Sequence, residues 1–221
     1  MEIFYEDNHL IAVNKPAGTL VQVDQSGDAA LEDLVKDYIK VKYNKPGEVF
    51  LGVIHRIDRP VSGLVLMART SKALERMNKS FKDREVQKTY LAVVRNKPAQ
   101  EEGKLVHWLT RDSSKGVTKA HNKEVRESQR AELSYKLISE INGFYLIEVK
   151  PITGRTHQIR VQLASMNCPI VGDNKYGYPR ANKDRSICLH SYKLAFNHPV
   201  TKERMELKAD LPKDDFWRKF W

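Results

Sequence analysis

The sequence predicts an α+β fold: a large mixed, mostly antiparallel sheet with flanking helices. Three observations predict it. Apolar runs of strand length, bounded by turn residues, outnumber helical repeats. Neighbouring runs are joined by hairpin-type turns, most clearly Asn142-Gly143, rather than by the crossover helices a parallel sheet requires. About four helical segments fall between the strands at irregular intervals, which argues against a doubly wound arrangement. A chain of 221 residues with 41% hydrophobic content can bury a sizeable core without disulfides.

Residues 3–5 and 10–13 are short apolar runs around Glu6-Asp7-Asn8 and read as a β-hairpin. Asn14-Lys15-Pro16-Ala17-Gly18 is a turn that lacks the Gly-Lys-Ser/Thr of a phosphate-binding loop. Leu31, Leu34, Val35, Tyr38 and Ile39 then repeat at helical spacing, with Ser26 or Asp28 as the expected cap. Residues 51–70 read strand, polar loop, strand. Leu51, Val53, Ile54 and Ile57 lead in, Leu64, Val65, Leu66 and Met67 lead out, and Pro60 and Gly63 punctuate the loop. Ser71 is the expected cap of a helix with Leu74, Met77 and Phe81 on one face and Lys72, Arg76, Lys79 and Lys82 on the other.

Residues 88–94 form a strand that contains Tyr90, for which core packing is the default reading. Residues 96–130 are the least periodic and carry Lys104, Arg111, Lys115, Lys119, Lys123, Arg126 and Arg130. They predict a long hairpin or a mobile basic loop. Residues 131–139 and 144–150 alternate across Asn142-Gly143 as a hairpin. Thr156 is the expected cap of a helix to about residue 165, with Ile159 and Leu163 facing inward. Residues 187–196 and 204–207 pair across Asn197-His198-Pro199, and Phe216, Trp217, Phe220 and Trp221 give a terminal helix an apolar face. The expectation is a single domain over 1–221, with the basic region 96–130 the only place to divide it.

Lys and Arg number 38 against 28 Asp and Glu, a net charge of +10, which points to a polyanionic partner, nucleic acid first. A soluble protein with a basic surface is the plainer alternative. The two cysteines, Cys168 and Cys188, match no metal or redox spacing and read as buried residues of a cytoplasmic protein. No run reaches membrane-span length, and the acidic N-terminus does not resemble a signal peptide. The seven histidines are scattered without metal-ligand spacing, and neither GxSxG nor GxGxxG occurs. No metal or cofactor is expected. What stands out is Asp58 between Arg56 and Arg59. It is a candidate anionic base or nucleophile, or else one half of a structural ion pair.

At these residues the sequence resembles a known family. His55-Arg56-Ile57-Asp58-Arg59-Pro60-Val61-Ser62-Gly63-Leu64 is similar to the catalytic motif of the RluA-type pseudouridine synthases. Further blocks agree in order: Val13-Asn14-Lys15-Pro16-Ala17-Gly18, Lys88-Thr89-Tyr90, and Thr153-Gly154-Arg155-Thr156-His157-Gln158-Ile159-Arg160. Gly172-Asp173 with Tyr176-Gly177, and Leu189-His190-Ser191, complete the set. The resemblance implies isomerisation of a uridine within rRNA or tRNA, with no cofactor. It implies Asp58 as the catalytic carboxylate, as nucleophile or as base, Arg160 as its partner, and Tyr90 against the uracil. It implies Arg56 as the side chain that enters the RNA stack when the target base leaves it. Arg59 is expected on phosphate, with a structural salt bridge as the alternative, and His55, Lys15 and His190 as pocket or RNA contacts. Val61 and Gln162 depart from the family, which often has Thr and His there. The match begins at about residue 3, without the small N-terminal RNA-binding domain of many relatives, so surface Lys and Arg are expected to hold the RNA. The chain is expected to act as a monomer. The alternative function is a non-catalytic RNA-binding or RNA-folding module of the same fold.

Overall fold

The computed structural model describes residues 2–23, 27–214 and 216–220. In chain order its elements are β1 (Glu2–Glu6), β2 (Leu10–Lys15), α1 (Leu31–Lys42), β3 (Gly52–Val53), β4 (Ser62–Ala68), α2 (Ser71–Lys82), β5 (Gln87–Val94) and β6 (Glu102–Asp112). There follow β7 (Val117–His121), β8 (Gln129–Ile141), β9 (Phe144–Pro151), α3 (Gln158–Ser165), β10 (Leu189–Asn197) and β11 (Arg204–Lys208). Single 3₁₀ turns occupy Asn174–Tyr176 and Trp217–Phe220. The eleven strands belong to a mixed, mostly antiparallel sheet, as the sequence predicted. The chain divides into two compact units, Met1–Gln87 with Ser191–Asp210, and Lys88–His190 with Leu211–Trp221.

In the first unit the strand order is β1-β2-β4-β10, with β3 beside β4 and β11 on β10. Both β2 and β4 are apolar almost throughout because they lie inside the sheet, covered on both faces. They pair antiparallel from Leu10 opposite Ala68 to Lys15 opposite Gly63. Leu10, Ala12, Leu64, Leu66, Ala73, Met77 and Phe196 share one core, against which Leu74 and Phe81 of α2 pack. The helix caps differ from expectation. The α2 cap is Thr70, whose hydroxyl accepts the Ala73 N–H at 3.2 Å, one residue before Ser71. The residue entering α1 is Ala30, without a side-chain cap; Asp28 lies outside the helix in an ion pair with Arg59. Ser26, the other expected cap, lies outside the described residues, as does Trp221.

In the second unit the order is β5-β9-β8-β6-β7. The β8–β9 hairpin closes at Asn142 and Gly143, both at positive φ (52° and 70°), as the tight turn requires. Residues 96–130, expected as a long hairpin or loop, are largely regular. β6 and β7 form a hairpin at the end of this strand order, paired from Trp108 opposite His121 to Asp112 opposite Val117. The alternation of β6 is weak in the sequence because its exposed positions mix Glu102, Lys104 and Arg111 with the apolar Val106. Leu109, Ala131 and Val161 pack α3 onto this part of the sheet. The cap expected at Thr156 is not used. His157 enters α3 in the left-handed conformation (φ 55°) with no side-chain cap, while the Thr156 carbonyl accepts the Thr118 hydroxyl.

Candidate active site

Each unit carries part of the motif set. In the first, the loop between β3 and β4 presents Arg56, Asp58 and Arg59. A turn bond from Val61 N–H to the Asp58 carbonyl (3.0 Å) folds the loop back on itself. Gly63 ends it at φ 112°, in close approach to Ser191: a Cβ there would lie 2.3 Å from the Ser191 carbonyl oxygen. Only glycine meets both conditions.

The Asn14–Gly18 turn clasps the same loop. Gly18 N–H donates to the Arg59 carbonyl (2.8 Å), and Arg59 Nε donates back to the Gly18 carbonyl (2.9 Å). Lys15 is fully buried. Its ammonium donates to the carbonyls of Pro16, Thr19 and Arg59 at 3.0, 2.8 and 3.1 Å. Burial pushes its pKa down to about 7; the Asp58 anion opposes this and Arg59 adds to it. Lys15, expected as a pocket or RNA contact, has no exposed surface. The side chain holds the loop from beneath.

His55 is likewise absorbed by the fold. β3 ends at Val53, and beyond it the His55 Nε2 takes the Leu66 N–H at 3.0 Å, replacing the carbonyl a longer strand would have supplied. That acceptor role requires an unprotonated Nε2. The ring stacks on Phe81 at 5.1 Å. Arg59 takes the structural alternative named for it, an ion pair with Asp28 at 2.7 Å. Arg56 is exposed and, among the described residues, makes no side-chain hydrogen bond or ion pair, so its guanidinium is available to a ligand. Asp58 is half-buried.

In the second unit, Tyr90 sits on β5 opposite Val149 and is 9% exposed, so core packing is part of its role. Arg160, on α3, is 5% exposed. Its Nε and Nη2 donate to the two oxygens of Asp173 at 2.7 and 2.8 Å. Asp173 appeared in the sequence only as part of a motif block; pairing across 13 residues and a turn gives no periodic signal. The Tyr176 ring lies 5.0 Å from the guanidinium carbon. His190 is buried beside Trp217, with ring centroids 6.0 Å apart. Gln162 is fully buried and donates to the Leu105 carbonyl, so it is a link between α3 and β6, not a surface contact.

Chemically, the first unit offers a carboxylate on a loop fixed from below, with an open arginine two residues away. The second offers a buried, oriented arginine and a tyrosine. Among the described residues no helix is long and apolar enough to cross a membrane.

Comparison with known proteins agrees with this arrangement. The RNA pseudouridylate synthase family matches residues 9–165. The chain is 34% identical over 217 residues to the ribosomal large subunit pseudouridine synthase C of Rickettsia bellii, covering 95% of this chain and 68% of that protein. It is 33% identical to the tRNA pseudouridine synthase C of Vibrio parahaemolyticus, covering 100% of this chain and 94% of the relative. Among solved structures, human RNA pseudouridylate synthase domain containing 4 superposes with a TM-score of 0.79 at 26% identity, over 96% of this chain and 89% of that one. Sequence blocks, fold and relatives converge, and the chain belongs to the RluA-type RNA pseudouridine synthases, a family of isomerases.

Proposed function

We propose that this enzyme isomerises specific uridines in rRNA or tRNA, the substrates named for its relatives, with Asp58 as the single catalytic carboxylate. The observation that supports this best is the clasp beneath the loop. Lys15 and Gly18 both donate to the Arg59 carbonyl, one residue from Asp58. A carboxylate held that firmly is pre-organised for chemistry, not left to sample the surface. The reaction breaks the bond between the ribose and the uracil nitrogen, turns the base, and joins a ring carbon to the same sugar. The leaving group stays bound, so no second carboxylate is needed to activate water. Attack on the sugar and removal of its 2′ proton both demand the anion of Asp58. The family resemblance implies Arg160 as the arginine that serves that anion and Tyr90 as the ring that meets the uracil.

Base extrusion costs a few kcal/mol, and the exposed Arg56 guanidinium takes the vacated place in the stack. Arg59 reaches phosphate by exchanging its exposed Asp28 partner. Lys15 and His55 shape the loop, and His190 packs beside Trp217 within its unit. The free buried thiols of Cys168 and Cys188 suit the reducing cytoplasm, where the RNA is.

The test compares pseudouridine maps of total RNA from a gene-deletion strain complemented with the wild-type or the Asp58→Asn protein. Sites lost on deletion should return with the wild type alone. Restoration by Asp58→Asn, or no site lost on deletion, would sink the proposal; the first result favours a binding module.

A further inference from the structure

The side chain of Arg160 is held from two directions by residues with no role assigned above. Asp173 grips its Nε–Nη2 edge with two parallel bonds of 2.7 and 2.8 Å, and both partners are buried (5% and 1% exposed). The Tyr176 ring lies against the guanidinium. Tyr176 is itself fixed: its hydroxyl accepts the Thr118 N–H at 2.9 Å and lies 2.6 Å from His157 Nδ1. His157 is the left-handed residue at the entrance of α3.

A buried ion pair is a poor means of stabilising a fold, since desolvation offsets its attraction and apolar residues of equal volume serve as well. What a bidentate pair does provide is orientation. Two bonds fix the plane and direction of the guanidinium, and the aromatic face restricts its remaining tilt. Asp173 engages the Nε–Nη2 edge of Arg160.

We propose that Asp173 and Tyr176 are positioning residues for the isomerisation, holding Arg160 in the one orientation its role requires. This rests on the catalytic reading of Arg160 given above. A misplacement of about 1 Å can cost ~100-fold in rate, and that sets the expected effect.

The test uses the full-length enzyme with RNA from the deletion strain, under single turnover with enzyme in excess, so that an unfolded fraction does not lower the rate constant. Asp173→Asn should reduce that rate constant about 100-fold and leave RNA affinity within about threefold. In ¹⁵N NMR the slowly exchanging Arg160 Nε–H resonance, assigned with Arg160→Lys, should disappear. Should Asp173→Asn be insoluble, Asp173→Glu serves: it keeps the charge, displaces the bidentate grip, and should slow turnover about tenfold. Tyr176→Phe keeps the ring and loses the hydroxyl anchor, and should slow turnover less than Asp173→Asn. An unchanged Arg160 resonance in Asp173→Asn overturns the positioning role. A lost resonance with wild-type turnover overturns it too. Wild-type turnover by Arg160→Lys separately removes the catalytic reading on which the inference rests.

Discussion

Replacing Lys15 by methionine separates what this buried cation does for stability from what it does for the loop. Two large effects oppose each other. The ammonium donates to three carbonyls, and a hydrogen bond to a charged group contributes about 1.5–3 kcal/mol. Against that, burial lowers its pKa from 10.5 to about 7, a penalty on the charged form of about 5 kcal/mol. The near-cancellation predicts that Lys15→Met costs about 0–4 kcal/mol of global stability. The loop is affected differently. The Arg59 carbonyl keeps its Gly18 partner but loses Lys15, and Asp58 loses a nearby positive charge. Turnover should fall about 100-fold through displacement of the carboxylate.

The pH dependence carries a sign. Between about 7 and 10.5 the unfolded chain holds a proton on Lys15 that the folded protein has released. Stability of the wild type relative to Lys15→Met therefore rises with pH across that window, and the full penalty is present below it. Urea unfolding of both proteins from pH 6 to 10, with single-turnover rates at pH 7, measures all three quantities. Wild-type turnover in Lys15→Met, or a stability difference that is flat with pH, would refute the reasoning.

Gly63→Ala should destabilise the first unit by about 3 kcal/mol or more, because the methyl meets the Ser191 backbone and φ is positive. A denaturation midpoint matching the wild type would show that the two segments can separate there without cost. Arg56→Ala should lower single-turnover rate at least about tenfold, the equivalent of 1.4 kcal/mol, while RNA affinity measured by filter binding changes little. Equal losses in rate and affinity would make Arg56 an ordinary phosphate contact.

Much of this protein was legible in its sequence because the informative signals are local. Hairpins announce themselves through turn residues, as at Asn142-Gly143, and α2 through the spacing of Leu74, Met77 and Phe81. The order of the motif blocks identified the family, and with it Asp58, Tyr90 and Arg160 as the residues to test. Local signals also misled where a neighbour one residue away was equally suited. Thr70 and Ser71 are both good caps, and the backbone geometry selected Thr70.

Residues whose partners are distant in sequence could not be read in the same way. Lys15 reads from its motif position as a pocket or RNA contact, and nothing local marks it as buried. Its burial follows from antiparallel pairing of β2 with β4, which seats it opposite Gly63 beneath the loop. His55 looked like a ligand contact. It became part of the sheet because β3 stops short and Leu66 needs an acceptor. Asp173 carried no signal of its own until the turn after α3 brought it against Arg160. The sequence by itself determined most of the strands, the three α-helices, the family and the candidate carboxylate, since each depends on residue type and short-range spacing; the expected terminal helix is only a 3₁₀ turn at Trp217–Phe220. Only the tertiary structure decided which charges are buried and which partners hold them, because desolvation and hydrogen bonding depend on what long-range packing brings within about 3 Å.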